Sequence, residues 1–279
     1  MIYGNTQELI ELLKKNGVWA KKDLGQNFLV NPEILEKIIG AADLKKSDSV
    51  VEIGPGPGIL TIELAKRAAT VRTIELDAAI IPLLQENIRP YTNVELETGN
   101  ALRAKLPEQP YKLVANIPYY ITSPLISHFL NVQKNDGMRP SIIVLLVQKE
   151  VAEKICAKDG EHTVLSLQVQ VFGKPSIVSA VGKSSFYPQP KVDSAILKIE
   201  VYPVPLIADI PLFLSLIKKL FAQRRKTLLN TLQNQMKFTR AAAEELLKTC
   251  AIEPNRRPQS LTMNEWEKMV QEIEKTATS

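Results

Sequence analysis

A glycine-rich turn directly follows a short apolar segment near residue 50. Val50–Ile53 lead into Gly54-Pro55-Gly56-Pro57-Gly58, and a helical pattern begins at Ile59. A strand that enters a glycine turn and then a helix lets a ligand approach the backbone closely at the carboxyl edge of a sheet. Glu75 ends the next apolar segment, 21 residues after Gly54, and an acid at about this distance accepts the ribose hydroxyls of a nucleoside cofactor. The spacing therefore predicts a nucleoside site that includes Gly54, Gly56 and Glu75.

The same turn argues against a dinucleotide. The dinucleotide motif has glycine or alanine at its sixth position, which is Ile59 in this chain. Pro55 and Pro57 remove two backbone N–H groups that a pyrophosphate would need. S-adenosylmethionine has a ribose, no phosphate and a sulfonium cation that is compatible with the neighbouring Glu52. We therefore expect S-adenosylmethionine, with the side-chain oxygen of Asn100, which follows the third predicted strand, accepting from the adenine amino group.

A second group of residues, Asn116-Ile117-Pro118-Tyr119, lies at the carboxyl end of the fourth predicted strand. These residues suit methylation of an exocyclic amine on a base, whose lone pair is delocalised into the ring. The Asn116 side-chain oxygen and the Ile117 carbonyl, held extended by Pro118, would accept the two amine hydrogens. Tyr119 can stack on the base, and Phe186, in a proline-rich loop, would cover the second face of a flipped-out adenine. The alternative for Phe186 is a buried ring in a proline-rich turn.

These residues require an α/β domain to bring them together. Short apolar segments alternate with helical patterns, which indicates a mainly parallel sheet. The predicted strands are 50–53, 71–75, 94–96, 112–116 and 142–147. The predicted helices are 6–15, 32–42, 59–67, 78–88 and 149–157. Residues 163–172 and 192–201 show the pattern of two long strands, which we expect to pair antiparallel at one edge.

The pattern changes after Pro203. Strand signals stop, and apolar residues recur at helical spacing, so we predict an α/β domain over residues 1–204 and a small all-helical domain over 205–279. Residues 211–240 contain seven Lys and Arg and no acid. Such a one-sign stretch predicts contact with nucleic acid, whereas the alternative is a solvated helix face.

Composition excludes several other classes of protein. The chain has 279 residues, 45% hydrophobic and 23% charged, as in ordinary globular proteins. Two cysteines and two histidines provide no zinc-binding spacing, and no serine lies in a G-x-S-x-G motif. The longest apolar run, 142–147, is too short for a membrane span, and residues 1–8 lack the features of a secretory signal. We therefore expect a cytoplasmic protein with no metal and no membrane anchor.

Together, these motifs resemble the KsgA family of ribosomal RNA adenine dimethyltransferases. The matching runs are residues 24–29, 51–56, 75–77, 114–119, 147–152, 186–194 and 221–228. The resemblance implies a Rossmann-like class I S-adenosylmethionine-dependent methyltransferase domain followed by a helical rRNA-binding domain. It also implies transfer of methyl groups to N6 of two adjacent adenosines in the 3′-terminal hairpin loop of 16S rRNA, late in assembly of the small ribosomal subunit. We expect the protein to act on this partner as a monomer.

The resemblance also assigns residues to three tasks. The residues that would hold the cofactor are Asn27, Leu29, Gly54, Gly56, Glu75, Asn100 and Asn116. The residues that would meet the target adenine are Asn116, Pro118, Tyr119 and Phe186. The residues that would contact rRNA phosphates are Arg224, Arg225 and Lys226.

Three departures from the family pattern and two alternatives remain. Asn100 stands where most members have aspartate, Tyr120 stands where many have a smaller polar residue, and His162-Thr163-Val164 replaces a more common Tyr-Gly. The Erm family, which dimethylates large-subunit rRNA, shares the cofactor motifs and the tetrad, but the run 224–230 is similar to the KsgA family instead. A non-catalytic ribosome assembly factor would need neither the cofactor turn nor the tetrad.

Overall fold

The computed structural model describes residues 6–132 and 137–278. The chain divides into two compact units. The first comprises the chain up to Ala152 together with Pro175–Val201, and the second comprises Glu153–Lys174 together with the chain from Tyr202 onwards. The division into 1–204 and 205–279 stays a prediction. None of the helices in the described ranges is both long and apolar enough to cross a membrane.

The strands in the described ranges form two sheets. In chain order they are β1 (Phe28–Leu29), β2 (Ser49–Ile53), β3 (Thr70–Glu75), β4 (Val94–Thr98), β5 (Lys112–Asn116), β6 (Ile142–Gln148), β7 (Gly173–Val181), β8 (Phe186–Tyr187) and β9 (Ser194–Val201). The large sheet has the order β4-β3-β2-β5-β6-β9-β7, and β1 pairs with β8 in a separate two-stranded sheet. The first five strands in this order, β4, β3, β2, β5 and β6, run parallel to one another, whereas β9 is antiparallel to β6. The predicted α/β architecture is confirmed.

The α-helices that end before Ala152 belong to the first unit, the helix Lys149–Ile155 spans the boundary, and the second unit contains the helix Val164–Gln170 and those that follow Tyr202. The early helices are α1 (Thr6–Lys15), α2 (Pro32–Ala42), α3 (Ile59–Ala65), α4 (Ile81–Ile88), α5 (Thr122–Leu130), α6 (Lys149–Ile155) and α7 (Val164–Gln170). The later helices are α8 (Ile210–Phe221), α9 (Leu228–Met236), α10 (Arg240–Thr249) and α11 (Met263–Thr278). The helical C-terminal region is therefore also confirmed.

The parallel register places the polar strand ends together. In the centre of the sheet, Ile53 of β2 lies opposite Ile74 of β3 and Ala115 of β5. Glu75 and Asn116 are the next residues of β3 and β5, so they flank the point where β2 ends and the glycine turn begins. Because parallel strands present their carboxyl ends at one edge, this edge is where a ligand would bind.

The strand predicted at residues 163–172 is wrong, because Val164–Gln170 form helix α7. Leu165, Leu167 and Val169 alternate with polar residues, which is a strand pattern in sequence. Thr163 favours a helix instead, because its hydroxyl accepts from Ser166 N and the Ser166 hydroxyl accepts from Thr163 N. This capping box satisfies the first helical N–H groups, and the strand starts only at Gly173.

Each unit has its own apolar core. In the first unit, α2 and α3 pack on the sheet through Ile38, Leu64 and Val144. In the second unit, the buried Trp266 ring meets Phe213 edge to face at a centroid distance of 6.1 Å and stacks with Phe221 at 6.4 Å. These aromatic contacts join α11 to α8 and give the helical unit a packed centre.

Candidate active site

The glycine turn forms one wall of a cavity at the carboxyl edge of the sheet. Gly54 and Gly56 have φ angles of +67° and +56°, a left-handed conformation that favours glycine. Gly54 N donates to Ile74 O at 3.0 Å, which anchors the turn to β3. A Cβ atom at Gly56 would lie 2.9 Å from the Phe28 ring, so a side chain there would push the ring away. Glycine at these positions therefore keeps the turn tight.

The carboxylate of Glu75 is buried and held by two backbone N–H groups. Its Oε2 accepts from Gly56 N at 3.1 Å, and its Oε1 accepts from Asp77 N at 2.8 Å. Burial raises the pKa of Glu75 above its usual value, although these N–H groups act in the opposite direction. The remaining lone pairs of the fixed carboxylate can accept the hydroxyls of a ribose, as the sequence predicts.

The amide of Asn116 is oriented by the backbone of a distant segment. Its Nδ2 donates to the Asn27 carbonyl at 3.1 Å, so Oδ1 is the acceptor that remains for a substrate. The carbonyl oxygen of Asn116 lies 3.7 Å from the position a Cβ would take at Gly54. The tetrad and the glycine turn are thus in close proximity, and an acceptor oxygen stands beside the nucleoside site.

The loop of residues 21–29, here called the cofactor loop, is tied to the end of β3. Lys21 Nζ lies 2.6 Å from Asp77 Oδ1, and Gln26 Nε2 donates to Asp77 Oδ2 at 2.9 Å. Although burial opposes its ionisation, the bonds from Lys21 and Gln26 hold the pKa of Asp77 below its usual value. The sequence does not predict this contact, because no pattern relates residues 21 and 26 to residue 77.

A cavity of about 230 Å³ lies between the cofactor loop, the glycine turn and the tetrad. The structure brings all the predicted cofactor residues to its lining: Asn27, Leu29, Gly54, Gly56, Glu75, Asn100 and Asn116. Pro118 and Ile117 of the tetrad also line it. The cavity combines an acidic acceptor, a turn that lacks two N–H donors and a mostly apolar lining, and these features suit S-adenosylmethionine. Within the described residues, no group of three His, Cys, Asp or Glu could hold a metal ion.

Three predicted residues have further contacts that bear on their roles. Asn100 Oδ1 accepts from Leu102 N at 3.0 Å, which leaves one lone pair for an adenine amino group. The Tyr119 hydroxyl lies 2.6 Å from the buried Ser194 hydroxyl, and burial raises the pKa of Tyr119. The Phe186 side chain is 2% exposed, pairs across from Leu29 and belongs to the core. Neither Tyr119 nor Phe186 is in the cavity lining, and their roles toward adenine stay predictions.

Glu52 is a second buried acid in the cavity lining. Its Oε2 accepts from the Thr61 hydroxyl at 2.7 Å. Burial raises the pKa of Glu52 to about 7, because desolvation disfavours the charged carboxylate more than the hydrogen bond favours it. The residue therefore changes charge near neutral pH, next to the place where the sequence predicts a cationic cofactor.

The predicted RNA-binding residues lie in the second unit. Arg224, Arg225 and Lys226 are exposed in the turn between α8 and α9. They line a concave surface that also includes Arg257 and Gln259. Arg257 was not predicted, because it stands 31 residues after Lys226 and its own surroundings in sequence contain no distinctive motif. The fold thus adds a fourth cation to a surface suited to phosphates.

Known proteins match this chain over nearly its whole length. The family model "Ribosomal RNA adenine dimethylase" matches residues 18–275. A relative from Dehalococcoides mccartyi, named "Ribosomal RNA small subunit methyltransferase A", is 42% identical over 267 residues, which cover 93% of this chain and 90% of the relative. The crystal structure of a dimethyladenosine transferase from Plasmodium falciparum is 30% identical with a TM-score of 0.80, covering 90% of this chain and 98% of that one.

A large-subunit rRNA methyltransferase matches this chain with lower identity and a lower TM-score than the dimethyladenosine transferase. The 23S rRNA methyltransferase ErmE is 26% identical with a TM-score of 0.73, and the match covers 89% of this chain and 100% of that one. These neighbours have the fold expected from the sequence, the Rossmann-like domain of class I methyltransferases with a helical C-terminal region. The chain belongs to the ribosomal RNA adenine dimethylase family.

Proposed function

We propose that this protein transfers methyl groups from S-adenosylmethionine to N6 of two adjacent adenosines in the 3′-terminal hairpin loop of 16S rRNA. It would do so as a cytoplasmic monomer, on the small subunit, late in its assembly. The observation that carries the proposal is the oriented amide of Asn116, whose free Oδ1 stands beside a nucleoside cavity in a chain of the adenine dimethylase family.

The chain's own residues would hold and orient the reactants. When bound, S-adenosylmethionine supplies a methyl group on a sulfonium, which needs only a nucleophile in line with it. Asn116 Oδ1 and the Ile117 carbonyl would accept the two N6 hydrogens and draw the amine lone pair out of conjugation with the ring. A strong general base is not needed, because the amine becomes acidic only as it gains the methyl group. Glu75 would hold the ribose through its fixed carboxylate.

The small subunit is preferred to the large one for two reasons. Relatives named "Ribosomal RNA small subunit methyltransferase A" share 35% to 42% identity with this chain, whereas ErmE shares 26%. The run 224–230 distinguishes the two families in sequence, and its first three residues, Arg224, Arg225 and Lys226, line the basic concave surface. This surface supports binding to rRNA phosphates through Arg224, Arg225 and Lys226.

The test uses ribosomal subunits from cells that lack both kinds of adenine dimethylation. Small and large subunits are incubated separately with the protein and labelled S-adenosylmethionine, and methylated adenosines are mapped by mass spectrometry. We expect N6,N6-dimethyladenosine at two adjacent positions of the 3′-terminal hairpin loop of 16S rRNA. Subunits that already carry these methyl groups are the control and should take up no label.

Two other outcomes would contradict the proposal. Label confined to 23S rRNA would mean an Erm-type enzyme. No label on either subunit, with S-adenosylmethionine still bound in a calorimetric titration, would favour an assembly factor that does not catalyse methylation.

A further inference from the structure

An exposed aromatic ring stands at the mouth of the cavity. The Tyr120 side chain is 60% exposed and yet belongs to the cavity lining. The other aromatic residue of that lining, Phe28, is buried against the glycine turn. A large aromatic ring that faces both solvent and a binding cavity is typical of a contact site rather than of a core.

The backbone places this ring between the tetrad and the cofactor loop. Tyr120 is the middle residue of the helical turn Tyr119–Ile121, which directly follows Pro118. Its Cδ1 and Cε1 atoms would lie 3.4 Å from a Cβ at Gly25, and Pro118 Cβ would lie 3.3 Å from the same point. Gly25, at a φ of +61°, therefore leaves the space in which one edge of the ring rests.

We propose that Tyr120 is a nucleobase-stacking residue. Its ring stacks on the base that neighbours the adenosine bound at Asn116. This inference rests on the proposed function and deepens it. The ribose site at Glu75 and the adenine site at Asn100 occupy the ends of β3 and β4, so the substrate base must enter from the tetrad side. Tyr120 is one residue beyond Tyr119, which the sequence assigns to the target base, and it is the more exposed of the two.

Stacking on Tyr120 fits a substrate of two adjacent adenosines. Any base has a π-face, and purines offer the larger one, so an aromatic ring binds a neighbouring adenosine without hydrogen-bond readout. A ring that holds the second adenosine would keep the strand in place while the first is methylated. The hydroxyl of Tyr120 has no part in this role, and only the ring is required.

The first experiment measures methylation kinetics on unmethylated small subunits. Tyr120→Ala should raise KM for the subunits roughly fivefold or more, whereas the Kd for S-adenosylmethionine stays within twofold. Tyr120→Phe keeps the ring and should match the wild type. Trp19→Ala, which removes a ring that is 64% exposed and outside the cavity lining, is the matched control. Thermal unfolding of every variant checks that it folds.

A second experiment detects stacking without requiring methylation. A short single-stranded RNA carries 2-aminopurine beside an adenosine, and its fluorescence falls when an aromatic ring stacks on it. Wild type, Tyr120→Phe and Trp19→Ala should quench the probe, and Tyr120→Ala should not. A wild type that quenches but does not methylate small subunits would overturn the proposed function and keep the stacking site.

Three results would overturn the stacking role. Quenching by Tyr120→Ala equal to the wild type would show that another residue meets the base. A Tyr120→Phe variant as weak as Tyr120→Ala would assign the effect to the hydroxyl. A loss of S-adenosylmethionine affinity that accounts for the whole loss of activity would make Tyr120 a cover over the cofactor.

Discussion

At the scale of single residues, Asn116 shows how the fold prepares an acceptor. Because Nδ2 is occupied by the Asn27 carbonyl, the amide cannot turn its donor toward the substrate without losing a hydrogen bond. Alanine at this position would remove the oxygen and also the N–H group that donates to the Asn27 carbonyl. The substitution should therefore lower the rate of methyl transfer and change the affinity for rRNA only slightly.

We predict that Asn116→Ala lowers kcat about 100-fold or more, by analogy with the loss of one preorganised hydrogen bond in an active site. The measurement is single-turnover methylation of small subunits, with subunit affinity measured in parallel. Asn93→Ala is the control, because Asn93 makes similar bonds to the backbone of Ala65 and Ala68 but does not line the cavity. A variant with wild-type kcat would show that Asn116 is not the acceptor.

Glu52 leads to a prediction about stability and pH. Its pKa rises from 4.5 in the unfolded chain to about 7 in the folded one, so the folded state binds the proton more tightly. The free energy of unfolding should therefore fall as pH rises from 4.5 to 7, by about 3 kcal/mol at 1.36 kcal/mol per pKa unit. Glu52→Gln abolishes this titration. Between pH 5 and pH 8, the free energy of unfolding of Glu52→Gln minus that of the wild type should therefore increase by about 3 kcal/mol.

Urea denaturation at a series of pH values, without cofactor, measures this effect. Glu63→Gln is the matched control, since Glu63 is also a buried acid of the same unit but is paired with Lys66 and Arg67. Its pKa is lowered below 4.5, so its contribution is constant between pH 5 and pH 8. A difference between Glu52→Gln and the wild type that does not change with pH would refute the raised pKa.

Sequence could predict which residues gather in the cavity, but not all of their contacts. The sequence identifies Glu75, Asn100 and Asn116 because each lies at or just beyond the carboxyl end of a strand of a parallel sheet, and the sheet alone brings such positions together. The Lys21–Asp77 contact joins residues 56 apart through a loop of irregular shape, and no periodicity encodes it. Phe186 shows a related limit, because the same motif suits a stacking ring and a buried one.

At the scale of elements, the cofactor loop is fastened at two points. Asp77 binds Lys21 at the start of the loop and Gln26 in its middle, and Asn116 binds the carbonyl of Asn27, which follows Gln26. The loop supplies Asn27 and Leu29 to the cavity lining, so its position fixes one wall of the cofactor site. Asp77 also donates its backbone N–H to Glu75, and a single residue thus positions two sides of the cavity.

We predict that Asp77→Asn weakens S-adenosylmethionine binding about five- to tenfold. The new amide would turn a donor NH₂ toward Lys21 or Gln26, which are donors themselves, at a cost of about 1–1.5 kcal/mol. Calorimetric titration gives the affinity, and hydrogen exchange should show faster exchange confined to residues 21–29. The control is Glu108→Gln, which breaks the exposed Lys105–Glu108 pair. It should change neither the affinity for S-adenosylmethionine nor the hydrogen exchange of residues 21–29. Unaltered exchange in residues 21–29 would mean that Asp77 does not hold the loop.

Helices and strands were predictable from the sequence where a single physical signal, such as a helix-starting proline or a clear apolar period, was unambiguous. Helix α2 begins and ends as predicted because Pro32 suits a first turn and the apolar face has a clear period. Strand β6 contains the continuous apolar run Ile142–Val147 and β5 the shorter run Leu113–Ala115, as parallel strands do, whereas Glu52 interrupts the apolar residues of β2. Residues 163–172 were misread because their alternation suits a strand, and only the reciprocal bonds of Thr163 and Ser166 select the helix.

At the scale of the whole molecule, charge is divided unequally along the chain. Residues 204–279 carry twelve Lys and Arg and eight Asp and Glu, so they hold four of the five net positive charges. The cavity with its acids belongs to the first unit, and the concave basic surface belongs to the second. Chemistry and rRNA attachment would thus reside in different units, and they should be separable by mutation.

We predict that replacing Arg224, Arg225 and Lys226 together by Ala weakens small-subunit binding and lowers the slope of log K against log salt by roughly 2, since each lost phosphate contact removes about 0.7–0.9. Filter binding at 50 to 200 mM salt measures the slope. The control removes three exposed cations of the same unit that lie outside the concave surface, Lys219, Lys248 and Lys268. Equal slopes for the two triple variants would mean that net charge, and not this surface, binds the subunit. The Kd for S-adenosylmethionine should be unchanged in both triple variants, because the cofactor cavity lies in the other unit.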